Sequence, residues 1–311
     1  MIQSRRTFLK SSSSVAASGI IPSFLHTAGL SEKLNVPTTP SYRLSIHATN
    51  WGFNGSSEAF CALAKKDGFD GIEVLWPADE KEQEAILVAA KKHALAVAFL
   101  CRGDEAEPAK QLETFKKVVS AAATNRIQKP VYINCHSGRD YFDFDTNKKF
   151  FDYTLQLSRE TGVNIYHETH RSRSLFAAHI TRQYLEKIPE LQLTLDISHW
   201  CNVHESLLED QKETVALALS HTSHMHARMG HPEGPQVNDP RAPEWKDVVK
   251  QHFDWWDTVI ARKKMKGEQA TFLAEFGPPT YMPALPYTRQ PVVDQWEVNV
   301  YIMKLLRARY Q

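Results

Sequence analysis

The sequence carries almost no surplus charge of either sign. Its 37 lysines and arginines stand against 36 aspartates and glutamates, a formal net charge of +1, which argues against a dedicated nucleic-acid surface. It has no apolar run of the ~18 residues that a membrane-spanning helix needs. Cysteine is scarce: Cys61, Cys101, Cys135 and Cys201 form no CxxC pair. Four cysteines permit three pairings, but a domain of this length buries enough surface to fold without staples. They are therefore expected as free, buried thiols. No G-x-G-x-x-G follows the first strand-like run, which leaves an open dinucleotide-binding sheet without support. No glycine-rich phosphate loop is present either.

What is present begins at the N-terminus. "SRRTFLK" at residues 4–10 precedes the weakly apolar, Ser/Ala-rich "SSSSVAASGIIPSFLHTAG", the layout of an export signal. Adjacent Arg5 and Arg6 with Phe8, Leu9 and Lys10 resemble a twin-arginine signal. Residues 1–35 are accordingly read as signal and linker, with no clear cleavage site, and the expected location is periplasmic or otherwise exported. The folded domain is expected over residues 41–311.

Over that span, short apolar runs alternate with amphipathic stretches. The runs are "RLSIHAT" (43–49), "GIEVLW" (71–76), "AVAFLC" (96–101), "PVYINCH" (130–136), "NIYHETH" (164–170), "LQLTLDISHW" (191–200), "HTSHMHAR" (221–228) and "ATFLAEFG" (270–277). Each has the length and the Leu, β-branched or aromatic content of a buried strand. The stretches between them read as helices. "SEAFCALAKKDG" stops at a glycine after two lysines, and "EKEQEAILVAAKKHA" places acids first and lysines last, in keeping with the helix dipole. Strict alternation implies a parallel sheet. Eight units imply an α/β fold of the (β/α)8 TIM-barrel type, with its site at the C-terminal ends of the strands.

The residues at those ends are unusual for apolar strands. The fourth run ends in Asn134-Cys135-His136, the fifth in His167-Glu168-Thr169-His170, the sixth in Asp196 and then His199, the seventh in His224-Met225-His226-Ala227-Arg228, and the eighth in Glu275. Any one of these is an ordinary polar strand terminus. Together at one barrel mouth they need pairing, and three carboxylates crowded there repel one another unless a divalent cation lies between them.

This pattern resembles the xylose isomerase-like TIM-barrel superfamily, which includes sugar epimerases, inosose dehydratases and an endonuclease that cleaves abasic DNA. The resemblance spans residues 41–311 and implies a metal site of Glu168 in "HETH", Asp196 in "LDISHW", His226 in "HMHAR" and Glu275 in "AEFG". His199 matches a D-x-x-H histidine that lies beside the substrate. Asp196 and His199 have an odd spacing and share a site only if the chain bends after Asp196. His224 shares a strand face with His226 and is expected behind the ligands, as is His170. Arg228 either holds a substrate oxygen or forms a structural ion pair. His136, Trp51, Trp76 and Trp200 are expected to touch substrate, and the long loop 230–245 reads as a lid. Three carboxylates and one imidazole favour Mn2+, with Mg2+, Co2+ or Zn2+ as alternatives. A twin-arginine route carries folded protein, so such a metal is loaded before export.

By resemblance, Glu168 and Glu275 move a proton at a carbon beside a carbonyl through an enediolate. Returning the proton to the other face epimerises, returning it to the neighbouring carbon isomerises, and expelling a β-substituent eliminates. The leading expectation is a metal-dependent isomerase or epimerase of an unphosphorylated sugar or keto-sugar. One alternative is a lyase that removes the aglycone from 3-keto-glycosides, working with a sugar oxidoreductase as partner. Another is a barrel that binds sugar without catalysis. The abasic-DNA reading is weaker: the third run ends in Cys101-Arg102, where that relative needs a histidine.

Overall fold

The computed structural model describes residues 41–311; the export-signal reading lies outside the described residues. Eight strands close into a barrel in chain order: β1 (Arg43–Ala48), β2 (Gly71–Leu75), β3 (Ala96–Arg102), β4 (Ile133–His136), β5 (Ile165–Glu168), β6 (Leu193–Leu195), β7 (Thr222–His226) and β8 (Gln269–Ala274). All pairs are parallel, and β8 returns to β1. The TIM barrel expected from the alternation is the observed fold. Parallel neighbours require crossovers, which are supplied by α1 (Ser57–Asp67), α2 (Glu80–Lys92), α3 (Pro108–Thr124), α4 (Phe144–Thr161), α5 (Ala178–Lys187), a short α6 (Ile197–Val203), α7 (Lys212–His221) and α8 (Lys246–Lys266), while α9 (Gln295–Tyr310) follows the last strand and packs against β1 and β8. Among the described residues no helix is long and apolar enough to cross a membrane.

Local chemistry sets the helix ends. Asp79 caps α2 by accepting from Lys81 N and Glu82 N, which satisfies amide donors left free by the first turn. Gly68 ends α1 in the left-handed region at φ 98°, a conformation that side chains disfavour. Two boundaries differ from the sequence reading. The run 191–200 is strand only to Leu195; Asp196 then accepts from Ser198 N at 3.2 Å and caps α6, so His199 and Trp200 lie on a helix. In the stretch between the sixth and seventh runs, which reads as helix, α7 begins only at Lys212, because Glu205 and Leu208 take positive φ values that break a right-handed helix.

The barrel interior is partly polar. Tyr132 OH contacts His47 Nδ1 at 3.1 Å, Glu73 Oε2 at 2.8 Å and His224 Nε2 at 3.1 Å. Ser45 pairs with His47, and Thr271 with His224. Each of these buried groups is compensated by a partner, as burial demands. Apolar packing between barrel and helices supplies the rest of the core, with Ile46, Phe99, Phe150, Leu193, Trp256 and Phe272 fully buried. All four cysteines are free and buried, as expected from their spacing.

Candidate metal and catalytic site

The strand ends that the sequence singled out converge. Glu168 ends β5, Asp196 follows β6, His226 ends β7 and Glu275 follows β8. One donor atom from each lies within 4.8 Å of all the others. His226 Nδ1 is 2.8 Å from Glu275 Oε2, 3.7 Å from Glu168 Oε1 and 3.9 Å from Asp196 Oδ2. Both His226 Nδ1 and Glu275 Oε2 are buried without a hydrogen bond. Unsatisfied donor atoms aimed at one point, three carboxylates and one imidazole among their side chains, can hold a divalent metal ion.

The electrostatics agree with that capacity. Burial alone would lower the pKa of His226, but the carboxylates of Glu275, Glu168 and Glu73 outweigh it and hold the imidazole well above its ordinary value. Burial, helped by Glu275 and Glu168, pushes Asp196 up to about 6 despite its Arg228 partner. Burial also opposes the charge on Glu168; the neighbouring His136 and His226 overcome it and keep this carboxyl well below its usual range.

Beside these four groups stands Glu73, a buried carboxylate in the middle of β2. Its Oε1 faces His226 Nε2 at 3.3 Å and accepts from Asn134 Nδ2 at 3.1 Å; its Oε2 faces His224 Nε2 at 3.1 Å. With Nε2 donating to Glu73, the Nδ1 lone pair of His226 is directed at the other three carboxylates. Sequence reasoning missed Glu73. The signal was there: a lone acid inside "GIEVL", where an apolar side chain would be expected.

A cavity of about 610 Å³ opens above these groups, bordered by Glu73, Glu168 and Glu275 at its floor. His136 is on its wall, with Nε2 2.9 Å from Glu168 Oε2. Trp51 also lines it, edge-on to Tyr281 at 4.8 Å. Of the two roles left open for Arg228, the structure shows the ion pair. It is buried and ion-paired with Asp196, bonds Ser198 Oγ at 3.1 Å, and still borders the cavity. His224 does not border the cavity; it lies against Tyr132, Glu73 and Thr271.

Other placements are corrected. Trp200 is fully buried and donates from Nε1 to Leu175 O at 3.0 Å; α6 turns it into the core. Trp76 is buried edge-on against Phe99 at 4.7 Å and does not line the cavity. His199 is also fully buried, 2.7 Å from Arg228 Nη2 and 3.5 Å from Asp196 Oδ2. It supports that ion pair from behind and does not border the cavity. Burial, with His170 and Arg228 nearby, holds its pKa well below the usual value, so it accepts from Arg228 as a neutral ring. His170 takes the reverse position: it lines the cavity, with its ring 4.4 Å from that of His136. Loop 230–245 is pinned, not a free lid. Val237 is fully buried, and Gln236 exchanges hydrogen bonds with Gly277 N and O at 2.7 and 3.2 Å. The sequence reading assigned no site role to two wall residues, Arg102 and Arg173.

No curated protein matches the sequence significantly. Among solved structures, 3-keto-D-glucoside 4-epimerase YcjR from E. coli superposes with a TM-score of 0.57 at 16% identity, covering 86% of this chain and 100% of that one. A D-tagatose 3-epimerase-like protein gives 0.58 at 10% identity, covering 85% and 96%. The probable 3-DHS dehydratase AsbF from Bacillus anthracis gives 0.52 at 14% identity, covering 85% and 98%. At these identities the likeness is one of fold. The family model for the xylose isomerase-like TIM barrel matches residues 61–253, and with its closed eight-stranded barrel the chain belongs to that family.

Proposed function

We propose that the protein is a divalent-metal-dependent isomerase or epimerase of an unphosphorylated sugar or keto-sugar, acting by proton transfer at a carbon beside a carbonyl. The observation that carries this reading is the convergence of Glu168, Asp196, His226 and Glu275 within 4.8 Å at the floor of an open cavity. Mn2+ suits three carboxylates and an imidazole. When bound there, the ion would polarise the carbonyl oxygen and favour loss of the neighbouring proton.

The remaining steps belong to the side chains. Glu168 and Glu275 both border the cavity, so one takes the proton and the other returns it. Hydrogen bonding from His136 to Glu168 Oε2 orients that carboxylate and stabilises its charged form. Arg228, held by Asp196 and Ser198, offers its guanidinium edge to a substrate oxygen. Trp51 gives the apolar face of a sugar ring a surface to pack on.

An elimination is the second reading. It uses the same proton abstraction, and the similar folds include one named as a dehydratase beside those named as epimerases. It would release the aglycone from 3-keto-glycosides supplied by a sugar oxidoreductase. We further propose export through the twin-arginine route, which the "SRRTFLK" segment supports.

The test is metal analysis of purified protein, followed by incubation of sugars and 3-keto-glucosides with Mn2+ in D2O. Deuterium entering a carbon position without loss of a substituent supports the isomerase. Release of aglycone supports the lyase. Protein that takes up no divalent metal and exchanges no carbon-bound proton removes both.

A further inference from the structure

One arc of the cavity wall carries more arginine than acid. Arg102 closes β3, and Arg173 lies in the turn after β5; both border the cavity. With Arg139 they converge on a single carboxylate. Arg102 Nε is 2.8 Å from Asp104 Oδ2, Arg173 Nη2 is 3.1 Å from Asp104 Oδ1, and Arg139 Nη2 is 3.9 Å from the same oxygen. Three guanidinium groups thus share one anion, and that anion is itself more than half exposed.

Arg173 is the informative member. Its side chain is 93% buried, since 7% remains exposed. One Nη donates to Gly103 O at 3.3 Å and the other to Asp104, while Nε is buried with no partner. A buried guanidinium with a free donor and a shared counter-ion is costly unless something else completes it. The arc is also close to the reacting groups. Arg102 is the β-ladder partner of His136, which contacts Glu168.

We infer that the substrate carries a carboxylate, as an aldonic-, uronic- or keto-acid sugar does, seated on Arg102 and Arg173 while its reacting carbon lies over Glu168 and Glu275. This rests on the reading of the cavity as a sugar isomerase or lyase site. Planar guanidinium forks match a carboxylate in two parallel hydrogen bonds. A phosphate monoester is less well served. The nearby N-terminus of α3 would suit one, but Glu107 already occupies its Ala109 and Lys110 amides at 2.9 and 3.0 Å.

The experiment uses the full-length Mn2+-loaded protein and calorimetric titration with D-glucuronate, D-galacturonate and D-gluconate, each beside its uncharged aldose, with D-glucose 6-phosphate as a further arm. At least one acid is expected to bind about tenfold or more tightly than its neutral counterpart, and Arg102→Met to remove most of that preference. The Arg102 side chain is 38% exposed and bonds no backbone group, so this variant keeps the fold; Arg173→Lys, against Arg173→Met, separates charge from the fork. Equal binding of acids and neutral sugars, no binding by any acid, a preference that survives Arg102→Met and Arg173→Met together, or a preference for the phosphate each overturns the inference. Mn2+ is titrated alone in parallel. Metal uptake with no acid preference leaves the metal-dependent reading standing and removes only the carboxylate; absent metal uptake removes both.

Discussion

Among single residues, the proton-transfer groups and their supports separate cleanly. Glu168→Gln keeps the shape of the carboxylate and loses its basicity. Solvent-deuterium exchange into substrate is expected to fall roughly 10²- to 10⁴-fold, and unchanged exchange would take Glu168 out of the mechanism. Glu73→Gln tests a different role, because Glu73 faces His226 Nε2 and is not one of the four converging groups. Loss of such an outer partner typically weakens metal affinity about 10- to 100-fold. Titration of the variant with Mn2+ is expected to show that loss, and an unaltered Kd would confine Glu73 to packing. These two glutamates also mark what a linear reading can see. Glu168 stands at a strand end beside two histidines, where a site is sought; Glu73 stands mid-strand. Its purpose emerges only when β2 and β7 are brought across the barrel to place it against His226.

For the elements, the tryptophans are the instructive case. Trp51, Trp76 and Trp200 each come just after a strand, and a rim position is plausible for each from sequence. Only Trp51 lines the cavity. The difference lies in the path the chain takes on leaving the strand. After β6 the chain enters α6 immediately, and the helical turn carries Trp200 inward to the Leu175 carbonyl. Trp200→Ala is therefore expected to cost about 3–5 kcal/mol in chemical denaturation, whereas Trp51→Ala should alter ligand binding with far less effect on stability. A stability loss for Trp51→Ala equal to that of Trp200→Ala would contradict these placements. The joint between β7 and α6 is equally tight. A Cβ on Gly230 would lie 2.3 Å from the Ser198 carbonyl oxygen, too close for any side chain. Gly230→Ala is expected to displace Ser198 and Arg228, which share a hydrogen bond, and to lower both melting temperature and metal affinity. A melting temperature equal to that of the parent protein would show that the joint yields.

At the scale of the whole molecule, the buried acids and His226 couple folding, protons and metal. The folded pKa of His226 is raised above its unfolded value near 6.5. Its contribution to the stability of metal-free protein is thus full below pH 6.5 and is lost as pH rises through the folded value. Asp196, raised from 3.8 to about 6, acts in the same direction, contributing below pH 3.8 and losing that contribution as pH rises through 6. Metal must displace the proton on His226, so Mn2+ affinity is expected to rise with pH, by up to about tenfold per unit for each proton released. Calorimetry across pH 5.5–8 in buffers of different ionisation enthalpy checks this; a pH-independent Kd with no proton release would refute it. The same contrast between local and global separates what was legible in the chain from what was not. By itself, the sequence determined the barrel, since alternating strand and helix periods admit one closed parallel arrangement at this length, and it brought the polar strand-end side chains to one mouth, among which only the family resemblance singled out Glu168, Asp196, His226 and Glu275. Only the tertiary structure decided which groups face the cavity: Glu73 turned toward His226, His199 and Trp200 turned away by α6, and Arg102 and Arg173 drawn to one arc. Those orientations depend on contacts between residues far apart in the chain, which no local pattern encodes.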